Sequence, residues 1–286
     1  MINITKIFRK LRRLITRLWN FYDLRHNENR ITKSITHSIQ ETMKSLLIPE
    51  EKKWIDRIES LRTQMNASTK PLTRMDYGSG NPDSNRTKEE MQAGIEIKDT
   101  LGHISQIASK SAFWCCFLFK LVRNISPNSC IEMGTAVGIS AAYQAAALKI
   151  NGHGIFVSLE GANSIADVAR NNFQQLGLDN LEVVVGRFQD TLPNVLEKCQ
   201  PVDYVFVDGH HDEQATIGYF EQIIPFLAEK ALIILDDIAW SEGMKRAWNA
   251  IARDSRVGIA IDLGPVGLCV IDRSIPKYRY FNIPLH

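Results

Sequence analysis

From residue 129 onwards, short apolar runs alternate with stretches that are each long enough for one helix. The runs have the length of single strands and read CIEMG, GIFVSLE, LEVVVG, VDYVFVD and ALIILDD. Strands that alternate with helices form parallel sheets with helices on both faces, and they are apolar throughout because both faces are buried. The pattern predicts an α/β fold with a doubly wound, mostly parallel sheet.

The end of the chain departs from this alternation. Residues 257–273, VGIAIDLGPVGLCVIDR, read as two strands joined by a tight Gly-Pro connection, with no helix between them. Two strands that follow each other without a crossover pair antiparallel. We therefore expect seven strands, with an antiparallel hairpin at the edge of the sheet.

The first 22 residues predict a cationic amphipathic helix, because apolar side chains recur at spacings of three and four. A membrane surface with anionic headgroups suits such a helix. The alternatives are packing against its own domain, contact with a partner in a homodimer, or an organellar transit peptide. The apolar arc comprises Ile4, Ile7, Phe8, Leu11, Leu14, Ile15, Leu18 and Trp19, and the opposite face carries Lys6, Arg9, Lys10, Arg13 and Arg17.

Net charge argues against a nucleic-acid-binding protein. Of the 34 basic residues, six lie in the first 22 positions, which leaves 28 basic residues against 32 acidic ones in the rest of the chain. The formal charge of +2 therefore belongs to one arm and does not form a basic field over a domain. We expect no nucleic-acid partner.

Between this arm and the alternating region, residues 23–100 predict a helical extension followed by a lid or linker. Residues 66–90 collect Gly, Pro, Asn, Asp and Ser, which is typical of irregular structure. Loops of that length act as lids or binding loops in compact proteins, so Asp76 and Tyr77 are candidates for contact with a ligand. The predicted organisation is a helix at 1–22, an extension at 23–100 and a main domain at 101–286.

Five cysteines without CxxC spacing indicate a reducing compartment. The longest apolar run, at 112–122, is interrupted by Lys120 and is shorter than the roughly 20 residues of a spanning helix. Its aromatic residues are expected in the core. We expect a cytoplasmic protein, with membrane association through residues 1–22 as an addition.

Chemistry-bearing residues follow the strands of the predicted sheet, where open parallel sheets bind ligands. Gly134 and Gly138 lie in a turn after the first strand, and Glu160 ends the second, where a carboxylate can accept hydrogen bonds from a ribose. The stretch FVDGHHDE, residues 206–213, follows a later strand. Its two adjacent histidines and three carboxylates suit a metal site, a catalytic base or a plain loop.

The motif E-x-G-T-x-x-G-x-S at 132–140, together with Glu160, resembles the class I S-adenosylmethionine-dependent methyltransferases. The resemblance covers about residues 110–273 and implies the Rossmann-like methyltransferase fold. In that family the glycine loop lies against the methionine part of the cofactor, and the acid holds the ribose. The cofactor contacts implied are Glu132, Gly134, Thr135, Gly138, Ser140, Glu160, Gln189, Asp208 and His210.

Within that class, GRFQD (186–190), VFVDGHH (205–211) and LDDIAW (235–240) resemble the catechol and caffeoyl-CoA O-methyltransferase branch. By this likeness Gln189 contacts the adenine, and Asp208, Asp236 and Asp237 match the ligands of a divalent ion. Oxygen ligands suit Mg²⁺ or Ca²⁺ better than zinc. His211 falls where the branch often carries a lysine base, so His211 and Asp208 are the expected catalytic residues.

Two residues depart from the branch: Asp237 stands in place of Asn, and His211 in place of Lys. A histidine is a competent base near neutral pH, so a metal-dependent and a metal-free reaction both remain open. The resemblance implies O-methylation of a small-molecule hydroxyl. The alternatives are a metal-independent N-methyltransferase and a membrane-associated protein that binds S-adenosylmethionine without catalysis.

Overall fold

The computed structural model describes residues 4–80 and 86–285, and its side chains from residue 15 onwards. Most of the helices alternate with the strands of one large sheet. The helices are α1 Ile4–Arg25, α2 Arg30–Met43, α3 Pro49–Asn66, α4 Lys88–Ala93, α5 Leu101–Ala108, α6 Ala112–Ile125, α7 Ile139–Asn151, α8 Asn163–Leu176, α9 Phe188–Cys199, α10 Glu213–Ile223 and α11 Glu242–Ala252. The strands are β1 Pro71–Asp76, β2 Ile95–Thr100, β3 Ser129–Met133, β4 Ile155–Glu160, β5 Leu181–Val185, β6 Val202–Val207, β7 Leu227–Leu235, β8 Ile259–Asp262, β9 Gly267–Asp272 and β10 Arg279–Asn282.

The main sheet has the strand order β10-β8-β9-β7-β6-β3-β4-β5. Strands β3 to β7 pair parallel, and β9 runs antiparallel to both of its neighbours. The strand order reverses between β3 and β6, because the chain first adds β4 and β5 on one side of β3 and then adds β6 and β7 on the other. This is the doubly wound, mostly parallel α/β sheet that the alternation predicts.

Two details differ from the sequence prediction. The described sheet has eight strands instead of seven, because residues 279–282 pair parallel with β8. The added strand β10 forms the edge in place of β8, and the reversed strand β9 lies between β7 and β8. The added strand covers the backbone groups that β8 would otherwise expose, and unpaired edges are a liability in β-sheets. A four-residue strand carries too short a pattern to be recognised in advance.

Apolar side chains bury both faces of the sheet. One cluster joins the sheet to α6, α7 and α8, and the other joins it to α9, α10 and α11. All five residues of β3 are buried, as expected for a central parallel strand. The aromatic residues of α6 belong to the first cluster, with Phe117 and Phe119 fully buried, so the prediction that they form core is confirmed.

Helices α2 and α3 attach to the main domain through buried ion pairs as well as apolar contacts. The Lys120 Nζ of α6 lies 2.6 Å from a Glu51 carboxylate oxygen of α3 and 3.0 Å from Glu41 of α2. Arg123 also pairs with Glu51, at 3.2 Å. Lys120 is 2% exposed, so these charges stabilise each other with little help from water.

Helix α1 extends to Arg25, beyond the predicted end at residue 22. Its last turns pack through the buried Leu24, and Asn20 donates a hydrogen bond to the Asn282 carbonyl of β10. The side chains of residues 1–14, which include most of the predicted apolar arc, lie outside the described part. Among the described ones, Ile15, Leu18, Trp19 and Tyr22 are exposed, at 46%, 61%, 67% and 58%. Spacings of three and four place these four on one face of the helix.

Residues 71–76 and 95–100 form an antiparallel ribbon, β1–β2. The first of these strands lies in the segment 66–90, for which the sequence predicts irregular structure. The paired residues lie between 19 (Asp76 with Ile95) and 29 (Pro71 with Thr100) positions apart in the chain, so no local pattern reveals the pairing. The ribbon contacts α8, where the Ser164 hydroxyl donates to the Thr73 carbonyl at 2.7 Å. This contact brings Asp76 and Tyr77 towards the carboxyl edge of the main sheet. The division of the chain at residues 22 and 100 stays a prediction.

Candidate active site at the carboxyl edge of the sheet

The loops that follow β3, β4, β6 and β7 meet at one edge of the sheet, because parallel strands end on the same side. Backbone hydrogen bonds tie them together: Gly134 N–H donates to the Leu159 carbonyl, Asp208 N–H to the Met133 carbonyl and Asp236 N–H to the Val207 carbonyl. The predicted site residues lie on these loops or on the helices that follow them.

The glycine loop needs its two glycines for different reasons. Gly134 has φ +108°, and a Cβ there would lie 1.9 Å from the Asp208 carbonyl oxygen, so any side chain would force the loops apart. Gly138 has φ +86° at the start of α7, and a Cβ would lie 2.6 Å from the Phe173 ring. The two glycines therefore let the loop pack directly against the loop after β6 and against α8.

Beneath this loop, Glu132 is fully buried and accepts hydrogen bonds from Ser158, Ser140 and Gln144 at 2.6, 2.8 and 2.9 Å. Burial raises the pKa of Glu132 to about 7, against the effect of these donors. The Thr135 hydroxyl joins the network through Ser158. The side chains of Glu132, Thr135 and Ser140 thus support the loop through this network, and their contact with a cofactor stays a prediction.

Glu160 ends β4 as predicted, with its carboxylate half-buried. One oxygen accepts from Ala136 N–H and the other from Ala162 N–H, both at 2.9 Å. Burial raises the pKa of Glu160, although these backbone donors oppose the shift. A carboxylate offers about four acceptor positions, so two remain for the hydroxyls of a ribose.

Tyr77 covers the residue that follows Glu160. A Cβ on Gly161 would lie 2.8 Å from the Tyr77 ring, and a Cβ on Gly94 would lie 2.7 Å from it, so the ring packs between two glycine backbones. Next to it, Ser79 N–H donates to the His210 carbonyl at 2.8 Å. The segment around Tyr77 therefore lies against the loops after β4 and β6, which supports its interpretation as a lid.

The residues predicted to border the adenine lie near the start of α9. Gln189 is exposed in the first turn of that helix, and the neighbouring Phe188 packs on the backbone of Gly209. The His210 Nδ1 lies 2.8 Å from the Tyr219 hydroxyl, and burial lowers the pKa of His210. Phe188 and Tyr219 contact each other edge to face, so this part of the site has the aromatic character that a purine ring prefers.

The two adjacent histidines both adopt the left-handed conformation, at φ +70° and +50°, but their side chains have different partners. Histidine tolerates this conformation better than bulky residues do. The His211 ring lies between two carboxylates, with Nε2 3.9 Å from Asp208 and Nδ1 3.9 Å from Asp237. After the histidines, Asp212 caps α10 by accepting a hydrogen bond from Ala215 N–H at 2.9 Å.

Lys110 enters the acidic cluster from the loop between α5 and α6, a contact without any signal in the sequence. Its ammonium forms an ion pair with Asp236 and lies 3.4 Å from an Asp237 oxygen. Burial by itself would lower the pKa of Lys110, but the carboxylates of Asp236, Asp208 and Asp237 outweigh it and raise that pKa. Burial raises the pKa of Asp208 to about 6, and burial together with Asp208 raises the pKa of Asp236.

The predicted ligand set of Asp208, Asp236 and Asp237 has no room for a divalent ion as long as the Lys110 ammonium lies among these carboxylates. The Asp236 side chain is fully buried, and it forms an ion pair with Lys110 although neither of its oxygens accepts a hydrogen bond from the described residues. Asp208, His211 and Asp237 can each bring one ligand atom within 4.8 Å of the others, but that set would use the predicted base as a ligand. Metal binding at this site stays a prediction.

Residues 131–238 match the sequence profile of a family described as "Methyltransferase domain". A curated catechol O-methyltransferase from Niastella koreensis is 29% identical over 124 residues, which are 43% of this chain and 54% of that protein. The match thus spans about half of the relative's length.

Solved structures share the fold. An O-methyltransferase from Bacillus cereus, in complex with SAH, aligns with a TM-score of 0.51 and 26% identity over 58% of this chain and 84% of that one. The O-methyltransferase TomG from Streptomyces achromogenes, in complex with SAM, aligns with a TM-score of 0.50 and 25% identity. The alignment covers 58% of this chain and 82% of TomG. The expected class I methyltransferase fold is confirmed.

Proposed function

We propose that this chain, which carries a class I methyltransferase domain, transfers a methyl group from S-adenosylmethionine to a hydroxyl of a small molecule. The observation that carries the proposal is the meeting of three elements at one edge of the sheet: the glycine loop, the Glu160 carboxylate and the His211 imidazole. The first two fit S-adenosylmethionine, and the third supplies a base beside it. The SAH and SAM complexes of the two relatives support the choice of cofactor.

When bound, S-adenosylmethionine supplies a methyl group already activated on a sulfonium. The protein then has to align the acceptor oxygen with that carbon and to remove the acceptor's proton, since no covalent enzyme intermediate is required. We assign the proton to the His211 imidazole. The carboxylates of Asp208 and Asp237, each 3.9 Å from a ring nitrogen, stabilise the imidazolium that forms.

An aromatic hydroxyl is the acceptor class that the surroundings of His211 favour. The Trp240 ring centroid lies 6.2 Å from that of His211, and Trp240 is 40% exposed. An exposed indole next to the base offers a flat face on which an aromatic acceptor can stack. The name of the Niastella koreensis relative points the same way. Catechol is therefore the probe for a first assay.

The proposal is tested by incubating the protein with S-adenosylmethionine and catechol and following the gain of one methyl group by mass spectrometry. An aromatic amine, aniline, serves as the second acceptor. Methylation of catechol supports the proposal, and methylation of aniline alone would favour N-methylation. Binding of S-adenosylmethionine by calorimetry without transfer to either acceptor or to a metabolite extract would favour a binding protein.

Replacing Glu160 by alanine is expected to weaken the affinity for S-adenosylhomocysteine by about 1.5–3 kcal/mol, the value of hydrogen bonds to a charged group. Calorimetry on folded protein measures the change. Glu182, an exposed acid on the neighbouring strand β5, provides the control, and Glu182→Ala is expected to bind as the wild type does. Unchanged affinity in Glu160→Ala would remove the ribose assignment.

We propose further that α1 contacts anionic membranes peripherally in a cytoplasmic setting. The exposed apolar face of Ile15, Leu18, Trp19 and Tyr22 supports this, because no other described part of the chain covers it. The basic residues of the arm suit anionic headgroups, each contributing about 1 kcal/mol near the surface. Within the described residues, no helix is both long and apolar enough to span a bilayer.

Replacing Leu18 and Trp19 together by glutamine is expected to reduce cosedimentation with phosphatidylserine vesicles, since about 1.5–3 kcal/mol of burial is lost for each side chain. Wild-type binding should also decline with salt. Ile107→Gln, at a side chain 60% exposed on α5, is the matched control. Unchanged vesicle binding, or conversion of a homodimer into a monomer by the double variant, would argue against the membrane contact.

A further inference from the structure

Lys110 places a positive charge among the three aspartates that the sequence assigns to a metal. The side chain is 16% exposed, and its ammonium pairs with the fully buried Asp236 carboxylate and lies 3.4 Å from Asp237. The cluster continues through His211, which lies 3.9 Å from both Asp237 and Asp208. Lys110 is thus the cation at the centre of this acidic group, and it comes from a separate part of the chain.

We infer that the Lys110 ammonium takes the place of the divalent ion in this chain and that it orients the acceptor oxygen during methyl transfer. The inference rests on the proposed function. An ammonium has three N–H donors, and one of them bonds an Asp237 oxygen at 3.4 Å. The contact with Asp236 is an ion pair in which neither carboxylate oxygen accepts a hydrogen bond from the described part of the chain. The donors that remain can hold the acceptor oxygen while His211 takes its proton, and the positive charge stabilises the oxygen as that proton leaves.

A lysine and a divalent ion exclude each other in this cluster. An ion held by Asp208, His211 and Asp237 would share the Asp237 carboxylate with the ammonium, which already lies 3.4 Å from one of its oxygens. Two cations so close repel each other strongly in a partly buried site. The ion would also occupy the lone pair of His211 that the reaction needs as a base.

Manganese binding tests the inference independently of activity. Wild-type protein is titrated with Mn²⁺ and followed by electron paramagnetic resonance, beside Lys110→Ala, Lys110→Gln and the surface control Lys245→Ala, whose lysine pairs with Glu242. We expect no stoichiometric Mn²⁺ binding by the wild type or by Lys245→Ala. Lys110→Ala, which removes the charge and opens the space beside the aspartates, is expected to bind one ion. Stoichiometric Mn²⁺ binding by the wild type, or no Mn²⁺ binding by Lys110→Ala, would overturn the inference that the Lys110 ammonium takes the place of a divalent ion.

Turnover with catechol tests the second half of the inference. Chelation with EDTA is expected to leave the wild-type rate unchanged. Lys110→Gln is expected to lose about 10²-fold, the effect of removing one donor that stabilises developing charge. Mg²⁺ or methylammonium is expected to restore part of the Lys110→Ala rate, which a merely structural lysine would not allow. If Lys110→Gln turns over as fast as the wild type, or if EDTA abolishes turnover by the wild type, Lys110 does not orient the acceptor oxygen in place of a metal ion.

The two sets of measurements separate this inference from the proposed function. If the chain methylates no hydroxyl, the activity arm fails while the Mn²⁺ titration still decides which cation the aspartates hold. If a lysine variant does not fold, the EDTA and Mn²⁺ results on the wild type remain decisive. Circular dichroism and thermal melting of each variant establish that it is folded before the titration.

Discussion

Replacement of His211 by alanine or asparagine is expected to lower turnover about 10²–10⁴-fold, the usual contribution of a general base. Asparagine is the sharper variant, because it tolerates the φ of +50° at this position and keeps a polar side chain. Affinity for S-adenosylmethionine should change little, since His211 is assigned to the acceptor. Single-turnover kinetics with catechol, combined with calorimetry, separate the two effects.

The matched control for this variant is His153→Ala. His153 lies in the exposed loop before β4, at the opposite edge of the sheet from the site. Its replacement by alanine is expected to leave the turnover rate unchanged. If His211→Asn keeps wild-type turnover at neutral pH, the proposed proton acceptor is wrong, and the alignment of donor and acceptor alone would have to account for catalysis.

Replacement of Lys120 by methionine is expected to reduce the free energy of unfolding by about 3–5 kcal/mol, because it leaves buried carboxylates without their partner. Glu51 is only 5% exposed, and Arg123 at 3.2 Å remains as its single compensating charge. Urea unfolding at neutral pH measures the loss. The surface pair of Lys149 with Asp179 is the control, and Lys149→Ala should cost at most about 1 kcal/mol.

The same network predicts how acid affects stability. Burial by itself would raise the pKa of Glu51, but hydrogen bonds from Lys120, Ile48 N–H and Arg123 outweigh it, and the pKa lies below 4.5. A lowered folded-state pKa stabilises the fold above the unfolded value and loses that effect as pH falls through the folded value. The difference in the free energy of unfolding between the wild type and Lys120→Met should therefore become smaller below about pH 4.5. If the loss of unfolding free energy in Lys120→Met does not depend on pH, or is smaller than the loss in Lys149→Ala, the buried ion pair of Lys120 with Glu51 does not stabilise the fold as proposed.

The alternation of apolar runs from residue 129 was sufficient to predict the doubly wound sheet, because burial on both faces leaves a local trace in every strand. The glycine loop and Glu160 could be found for a related reason, since each directly follows a strand and requires a particular residue type. Gly134 illustrates this, because a Cβ at this position would lie only 1.9 Å from the Asp208 carbonyl oxygen.

The tertiary structure alone decided which side chains meet. The β1–β2 ribbon and the eighth strand of the main sheet depend on partners that are distant in sequence or on very short segments. Lys110 reaches Asp236 and Asp237 across more than 120 positions of the chain, and no spacing rule anticipates such a contact. A local pattern records burial and backbone conformation, whereas an ion pair between distant segments depends on how the elements pack. The sequence by itself therefore determined the sheet and the loops at its carboxyl edge, and only the tertiary position of the loop between α5 and α6 decided that Lys110 lies among the aspartates.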